Sequence, residues 1–216
     1  MSFLDNAINL ANFHVPVSIV DLGCGAGANT ARLARKFTDS QVCGIDLDAE
    51  LINFALKMKN ERGAPNLDFQ VGDLLECELS DYEGVTAIQT ISWVPAKDMY
   101  LPFERVLKKQ PKWFAFSSLG FDGKAQARIE VEDFSDNESW STPYNVLSNV
   151  VLREKARLFG YEEVVISPYH PTEPILKAAE GMGSHTRVLD SGQLVLFSGP
   201  LYLPWYFYFF KRRENA

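Results

Sequence analysis

Basic residues are scarce at the start of this chain, where no lysine or arginine occurs before Arg32. The charged n-region of a secretory leader is therefore missing, and a cytoplasmic protein is expected. Cysteine is scarce as well. Cys24, Cys43 and Cys77 are odd in number and form no CxxC pair, which argues for reduced, packing thiols and against a disulfide framework or a metal cluster. Positive charge is short overall, with 21 lysines and arginines against 28 acids and a net charge of −7. A phosphate backbone is thus not an expected partner. No run reaches the ~20 apolar residues of a spanning helix. The longest uncharged stretch, Leu194 to Phe210, is broken by Ser198-Gly199-Pro200 and by Pro204, and reads as strand, turn, strand. Its aromatic end, followed by Lys211, Arg212 and Arg213, would also suit a membrane interface. A buried terminal strand with a solvated basic tail explains the same letters, so membrane contact is not expected.

With 216 residues, 46% hydrophobic and 23% charged, the composition is that of an ordinary globular protein able to bury a core. Strand-like apolar runs alternate with helical patterns, which predicts an α/β, doubly wound, mostly parallel sheet. Strands are expected at Val17 to Leu22, Gln41 to Ile45, Leu67 to Val71, Val85 to Thr90, Lys112 to Ser118 and Glu162 to Ser167. Helices are expected at Ala28 to Phe37, Asp48 to Asn60, Lys97 to Lys108 and Asn145 to Phe159. Residues 1–216 read as one domain, with a ligand-binding core over 15–118. Two late insertions, 120–142 and 169–192, interrupt the alternation. The first is acidic and loop-like; the second is rich in Pro, Gly and His and runs into a hairpin around Asp190-Ser191-Gly192. Loops at the carboxyl ends of strands border the ligand crevice of an open α/β sheet, so both are expected to shape the substrate site.

The chemistry starts at V-D-L-G-C-G-A-G-A-N-T, residues 20 to 30. A buried strand ends in Asp21, and Gly23, Gly25 and Gly27 then turn the chain into a helix. Glycine is required where φ is positive and where a ligand comes close to the backbone. The first amides of such a helix suit an anion, and Asp21 suits a cation or a donor. A zwitterion fits the pair better than a pyrophosphate. Asp46, in G-I-D-L-D, is positioned to accept both hydroxyls of a ribose, with Leu47 beside it. Asp73, in V-G-D-L, is positioned to accept from an adenine amine, with Leu74 packed on the ring. Gln89 or Thr90, in Q-T-I-S-W-V-P, would hold a polar cofactor end. Acids at strand ends also cap helices, Asp46 and Asp48 included, but four ordered signals at successive strand ends point to one ligand.

In these segments the chain resembles the class I S-adenosylmethionine-dependent methyltransferases, whose sheet is seven-stranded and Rossmann-like with an antiparallel C-terminal strand. V-D-L-G-C-G-A-G is similar to the first motif of that family, G-I-D-L-D to the second and V-G-D-L to the third. The resemblance covers Val17 to Ser118 and implies S-adenosyl-L-methionine as methyl donor and S-adenosyl-L-homocysteine as product. It implies methionine contacts from Asp21 and from the backbone of Gly23, Cys24, Gly25 and Gly27, ribose contacts from Asp46, and adenine contacts from Asp73. Trp93 stands where many small-molecule members carry a histidine.

The expected activity is methyl transfer to the oxygen or nitrogen of a small-molecule acceptor. Candidate bases are His170 and His185 in the second insertion, and Tyr144 at the start of the predicted long helix. Trp93, Tyr100 and Trp140 are candidate substrate walls, and His14 could close over the cofactor. The acidic insertion would suit a cationic acceptor, although charge runs are usually solvated faces. A non-catalytic cofactor- or partner-binding scaffold is a second reading, and a crevice filled by side chains would favour it. A nicotinamide-dependent oxidoreductase is a third, because Gly23, Gly25, Ala28 and Asp46 also satisfy the dinucleotide fingerprint. Against it stand Asp21, which would repel a pyrophosphate, and the lack of a Tyr-x-x-x-Lys pair.

Overall fold

The computed structural model describes residues 16–62, 64–95, 97–133, 140–171, 174–176, 184–198 and 201–214. The centre of the sheet is made of apolar runs that are covered on both faces, as a parallel sheet requires. These are β1 (Ser18–Leu22), β2 (Gln41–Asp46), β3 (Leu67–Val71), β4 (Gly84–Ile88) and β5 (Trp113–Phe121), with α1 (Ala28–Lys36), α2 (Ala49–Arg62) and α3 (Leu101–Lys108) between them. The chain continues through β6 (Ala127–Asp133), β7 (Trp140–Ser148), α4 (Asn149–Leu158), β8 (Tyr161–Pro168), β9 (Ser184–Val188), β10 (Leu194–Ser198) and β11 (Trp205–Arg212).

The main sheet has nine strands: seven run in the order β3-β2-β1-β4-β5-β11-β8, β7 pairs parallel with the end of β5, and β6 pairs with β7. The first five strands are parallel, and β11 runs antiparallel to both neighbours. This is the doubly wound, mostly parallel, seven-stranded arrangement expected from the alternation and the resemblance. Val20 pairs with Cys43 on one side and Val85 on the other, so the strand order reverses at β1. That switch point opens a crevice at the carboxyl ends of β1 and β4. Alternate residues of each strand face opposite layers. Val20, Leu22, Val85, Phe114 and Phe116 pack with Phe103 of α3 and Leu152 of α4. Ile19, Ala115 and Phe209 pack with Leu33 of α1 and Ile52 of α2.

Three expectations change. The predicted loop over 120–142 contains β6, which pairs antiparallel with β7. The charge count concealed a period of two: Ile129 and Val131 face inward, whereas Arg128, Glu130 and Glu132 are exposed. Those acids therefore form a solvated outer face. The helix predicted from Asn145 begins instead at Asn149, because residues up to Ser148 continue β7. Ser148 then caps α4, its hydroxyl accepting from the Val151 amide. Tyr144 accordingly sits on a strand. Finally, the two strands read in Leu194 to Phe210 both exist but do not pair with one another. β10 pairs with β9 in a separate two-stranded sheet, while β11 inserts between β5 and β8. Tyr208 and Phe210 fill one layer and Phe209 the other, and a strand buried on both faces needs an interior position. Among the described residues no helix is long and apolar enough to cross a membrane.

Gly84 begins β4 directly beneath the Trp113 indole, and a Cβ there would lie 2.3 Å from Trp113 Cζ2. Both strands are held by ladders on either side, so neither can move away. Gly84→Ala should therefore destabilise the fold by about 1–3 kcal/mol, read as a lower midpoint in thermal or urea unfolding.

Candidate functional site

The glycine turn divides its labour. Gly23, Gly25 and Gly27 all have positive φ, at 66°, 53° and 81°, which L side chains rarely adopt. A Cβ at Gly23 would lie 2.3 Å from Thr90 Cγ2, and one at Gly27 would lie 2.5 Å from Phe69 Cζ. Above Gly25 there is nothing within 4 Å. The outer glycines thus let the turn pack against β3 and the end of β4, and the middle one leaves open space. The turn is held from β2: the Gly23 and Cys24 amides donate to the Ile45 carbonyl, at 2.8 and 3.1 Å. The Gly25 amide donates to Asp46 Oδ2 at 2.7 Å. Gly27 is the N-cap of α1 and offers no side-chain cap, and the first turn of α1 carries no acid. Its terminal amides and the positive end of its dipole are left for an outside anion.

Asp21 lies behind this turn, 2% exposed. Its Oδ2 accepts from the Thr30 hydroxyl at 2.8 Å and its Oδ1 from the Thr86 hydroxyl at 2.7 Å. Burial pushes its carboxyl above the ordinary range; the two hydroxyls pull in the other direction, and Asp46 adds to the rise. Asp46 also accepts from the Asp48 amide at 3.0 Å, while Asp48 caps α2 through the Glu50 and Leu51 amides. Asp73 accepts from the Leu75 amide at 2.8 Å. Leu47 is 72% exposed at the rim, and Leu74 is half-buried against the core. Arg105 of α3 clamps the loop that carries Asp73 and Leu74, donating to the Leu74 and Cys77 carbonyls at 3.1 and 2.8 Å. Cys24 and Cys43 are free thiols whose pKa is pushed up by burial.

Gln89 ends β4 with a φ of 57°, and its amide donates to Ser117 Oγ at 2.8 Å. A cavity of about 230 Å³ opens there, bordered by Gln89, Ser117, Asn29, Tyr169, Trp205 and Phe207 among others. Trp93 follows on a 3₁₀ turn, residues Ile91–Trp93. Its ring meets that of Tyr144, with centroids 5.7 Å apart. Both join a cluster with Leu119, Leu196, Trp205 and Tyr169. Burial pushes the Tyr144 hydroxyl up, so it keeps its proton. His170 is exposed and borders a smaller cavity of about 80 Å³. His185 is 4% exposed in β9, stacked on Phe197 with neither ring nitrogen hydrogen-bonded. Tyr100 is taken into the core, where its hydroxyl accepts from the Ser148 amide at 3.0 Å. The backbone of Trp140 starts β7, its side chain and all of His14 lying outside the described residues. Thr30, Thr86, Arg105 and Ser117 are the functional partners that sequence reading missed. Thr30 stands nine positions from Asp21 on the inner face of α1, but Thr86 is 65 positions away, and no local pattern joins it to the acid.

A Rossmann-like sheet with a glycine turn and successive acids at its switch point defines a nucleotide-cofactor protein. Comparison with known proteins narrows it. Residues 19–110 match a family model described as a methyltransferase domain. A malonyl-[acyl-carrier protein] O-methyltransferase from Ilyobacter polytropus is 24% identical over 179 residues, 81% of this chain and 68% of that protein. A trans-aconitate 2-methyltransferase from Deinococcus radiodurans is 35% identical over 77 residues, 36% of this chain and only 28% of its own length. Among solved structures, an S-adenosylmethionine-dependent methyltransferase from Clostridium acetobutylicum shares the fold with a TM-score of 0.64 and 12% identity, over 98% of this chain and 89% of that one. Residues 19–110 are therefore a methyltransferase domain, and the chain shares its fold with S-adenosylmethionine-dependent methyltransferases.

The raised carboxyl of Asp21 has a consequence for stability. A group that holds its proton more tightly in the folded state makes no penalty below its ordinary pKa of 3.8. Stability is then lost as pH rises from there through the folded value. Asp21→Asn removes the titration, so wild-type minus variant unfolding free energy, measured without cofactor, should fall across that window and level off above it. Gln89→Gly relieves a left-handed side chain and should hold or raise the unfolding free energy, by up to ~1 kcal/mol. The same change removes a polar group from the cavity wall and should weaken ligand binding there.

Proposed function

We propose that this chain transfers the methyl group of S-adenosyl-L-methionine to the oxygen or nitrogen of a small-molecule acceptor. The observation that carries the reading is the open space over Gly25 beside the uncapped α1 terminus, with Asp21 buried behind the turn and meeting no cation among the described residues. An amino-acid zwitterion complements both: its carboxylate suits the helix terminus and its ammonium suits Asp21. On this reading Gly23, Cys24, Gly25 and Gly27 hold the methionine end by their backbone. Asp46, each of whose oxygens accepts an amide hydrogen bond, has lone pairs left for ribose hydroxyls, beside Leu47. Asp73 and Leu74 take the adenine, with Arg105 fixing their loop.

The cofactor supplies an electrophilic methyl group on sulfur. What remains for the protein is to align the acceptor and exclude water. The cavity beside Gln89 and Ser117 is the acceptor's place, walled by Tyr169, Trp205 and Phe207, with the described parts of segments 120–142 and 169–192 shaping its approach. That this space is open favours catalysis over a scaffold role. An acceptor hydroxyl must lose a proton. His170, exposed beside the smaller cavity that shares Tyr169 and Trp205 with this one, is the base assigned here in preference to the enclosed His185 and the protonated Tyr144. A neutral amine acceptor would need no such base.

Calorimetric titration with S-adenosyl-L-homocysteine should show stoichiometric binding, and titration with NADH should show none. Absence of the first, or presence of the second, overturns the donor assignment. Asp46→Ala should weaken homocysteine-nucleoside binding by at least ~1 kcal/mol.

A further inference from the structure

The cavity beside Gln89 is bordered by a cation and by amide side chains, and among the described residues no acid borders it. Thr86 and Ser117 are already engaged there. The Thr86 hydroxyl donates to Asp21 Oδ1 at 2.7 Å, and Ser117 Oγ accepts from the Gln89 amide at 2.8 Å. Nothing among the described residues pairs with the side chains of Asn29, Arg32 or Gln89. Asn29 and Arg32 stand three positions apart in α1, which puts them on one face of the helix. Both are exposed, whereas Leu33, Ala115 and Trp205 are buried. The cavity therefore has an apolar interior and a cationic mouth. Its aromatic wall is Tyr169, Trp205 and Phe207, with Tyr169 and Phe207 meeting edge to face at 5.1 Å. A cavity of about 150 Å³ holds one benzene ring, so the volume of about 230 Å³ here admits one ring with a short arm.

We infer that this cavity selects an aromatic carboxylate, its ring seated against Tyr169, Trp205 and Phe207 and its carboxylate held at the mouth by Arg32 and Asn29. This rests on the proposed acceptor cavity and gives it a substrate class. A guanidinium offers a carboxylate two parallel N–H donors, and the Asn29 amide can add a third. Because Arg32 is exposed, the pair forms at the surface and neither charge loses all of its water, so the desolvation cost of a buried pair is avoided. The ring gains stacking and edge contacts from the aromatic wall. An ammonium would meet Arg32 and find no acid on the border; a neutral amide would keep the ring contacts and forgo the charge. Asp21 does not oppose the anion. It lies behind Thr86, 2% exposed, and on the donor reading its charge is answered by the ammonium of the cofactor. The acids of the first insertion lie elsewhere, Glu130 and Glu132 being exposed on β6.

The test titrates the full chain, with and without saturating S-adenosyl-L-homocysteine, with phenylacetate, phenylacetamide and phenethylamine, which share a ring and differ in the charge of the arm. Binding is read from the indole N–H resonance of Trp205, identified with Trp205→Phe. Phenylacetate should bind with a Kd about three- to tenfold below that of phenylacetamide, and phenethylamine more weakly than either. Arg32→Gln keeps a good helix former at an exposed position. It should raise the phenylacetate Kd to that of the amide and leave the phenylacetamide and homocysteine-nucleoside affinities unchanged. Equal Kd values for phenylacetate and phenylacetamide in the wild type, no response to any probe, or an undiminished preference for phenylacetate in Arg32→Gln overturns the assignment. A loss of homocysteine-nucleoside affinity in Arg32→Gln as large as the loss for phenylacetate also overturns it, by giving Arg32 to the carboxylate of the cofactor. Failure of the wild type to bind the homocysteine nucleoside overturns the donor reading instead, and the titrations without it still decide this one.

Discussion

The carboxylate of Asp21 ties together the three elements that diverge at the centre of the molecule. Its own strand, β1, ends beside it; Thr30 brings α1 to one oxygen and Thr86 brings β4 to the other. β1 and β4 pair directly here, with Asp21 beside Thr86, but no ladder holds α1 to their ends. The two short hydroxyl bonds perform that task from inside. Among the described residues no cation meets this buried acid, which makes it an unfavourable element, and the hydroxyls offset only part of the cost of burial.

Everything nearer the ligand is held at longer range. The glycine turn is pinned by β2 through Ile45 and Asp46, and the loop after β3 is pinned from α3 by Arg105. The crevice is therefore a set of loops whose positions are decided by neighbours, with open backbone at one residue, Gly25. Pre-organisation of this kind limits the ordering that binding would otherwise require.

At the other end of the sheet, β11 is the keystone. Tyr208 stacks on Phe116 at 4.5 Å and Phe209 on Trp113 at 5.6 Å, so the strand fills both layers. The hairpins β6-β7 and β9-β10 then sit above the carboxyl ends and enclose the aromatic cluster. A methyltransferase sheet of this type is shared across many chemistries.

By itself the sequence determined the alternation of strands and helices, a doubly wound, mostly parallel sheet and the turn at Gly23 to Gly27, because apolar period, glycine at positive φ and acids at strand ends are local signals. It located Asp46 and Asp73 at the crevice for the same reason. It misread 120–142 as loop because charged and apolar residues alternate there, and only pairing with β7 turns that alternation into a strand. It placed Tyr144 on a helix and could not bring it to Trp93, since that meeting depends on a hairpin and a 3₁₀ turn closing over β5. The partners of Asp21 and the clamp by Arg105 were decided by the tertiary structure alone. Contacts between residues tens of positions apart leave no periodic trace along the chain; they exist only once the layers are packed.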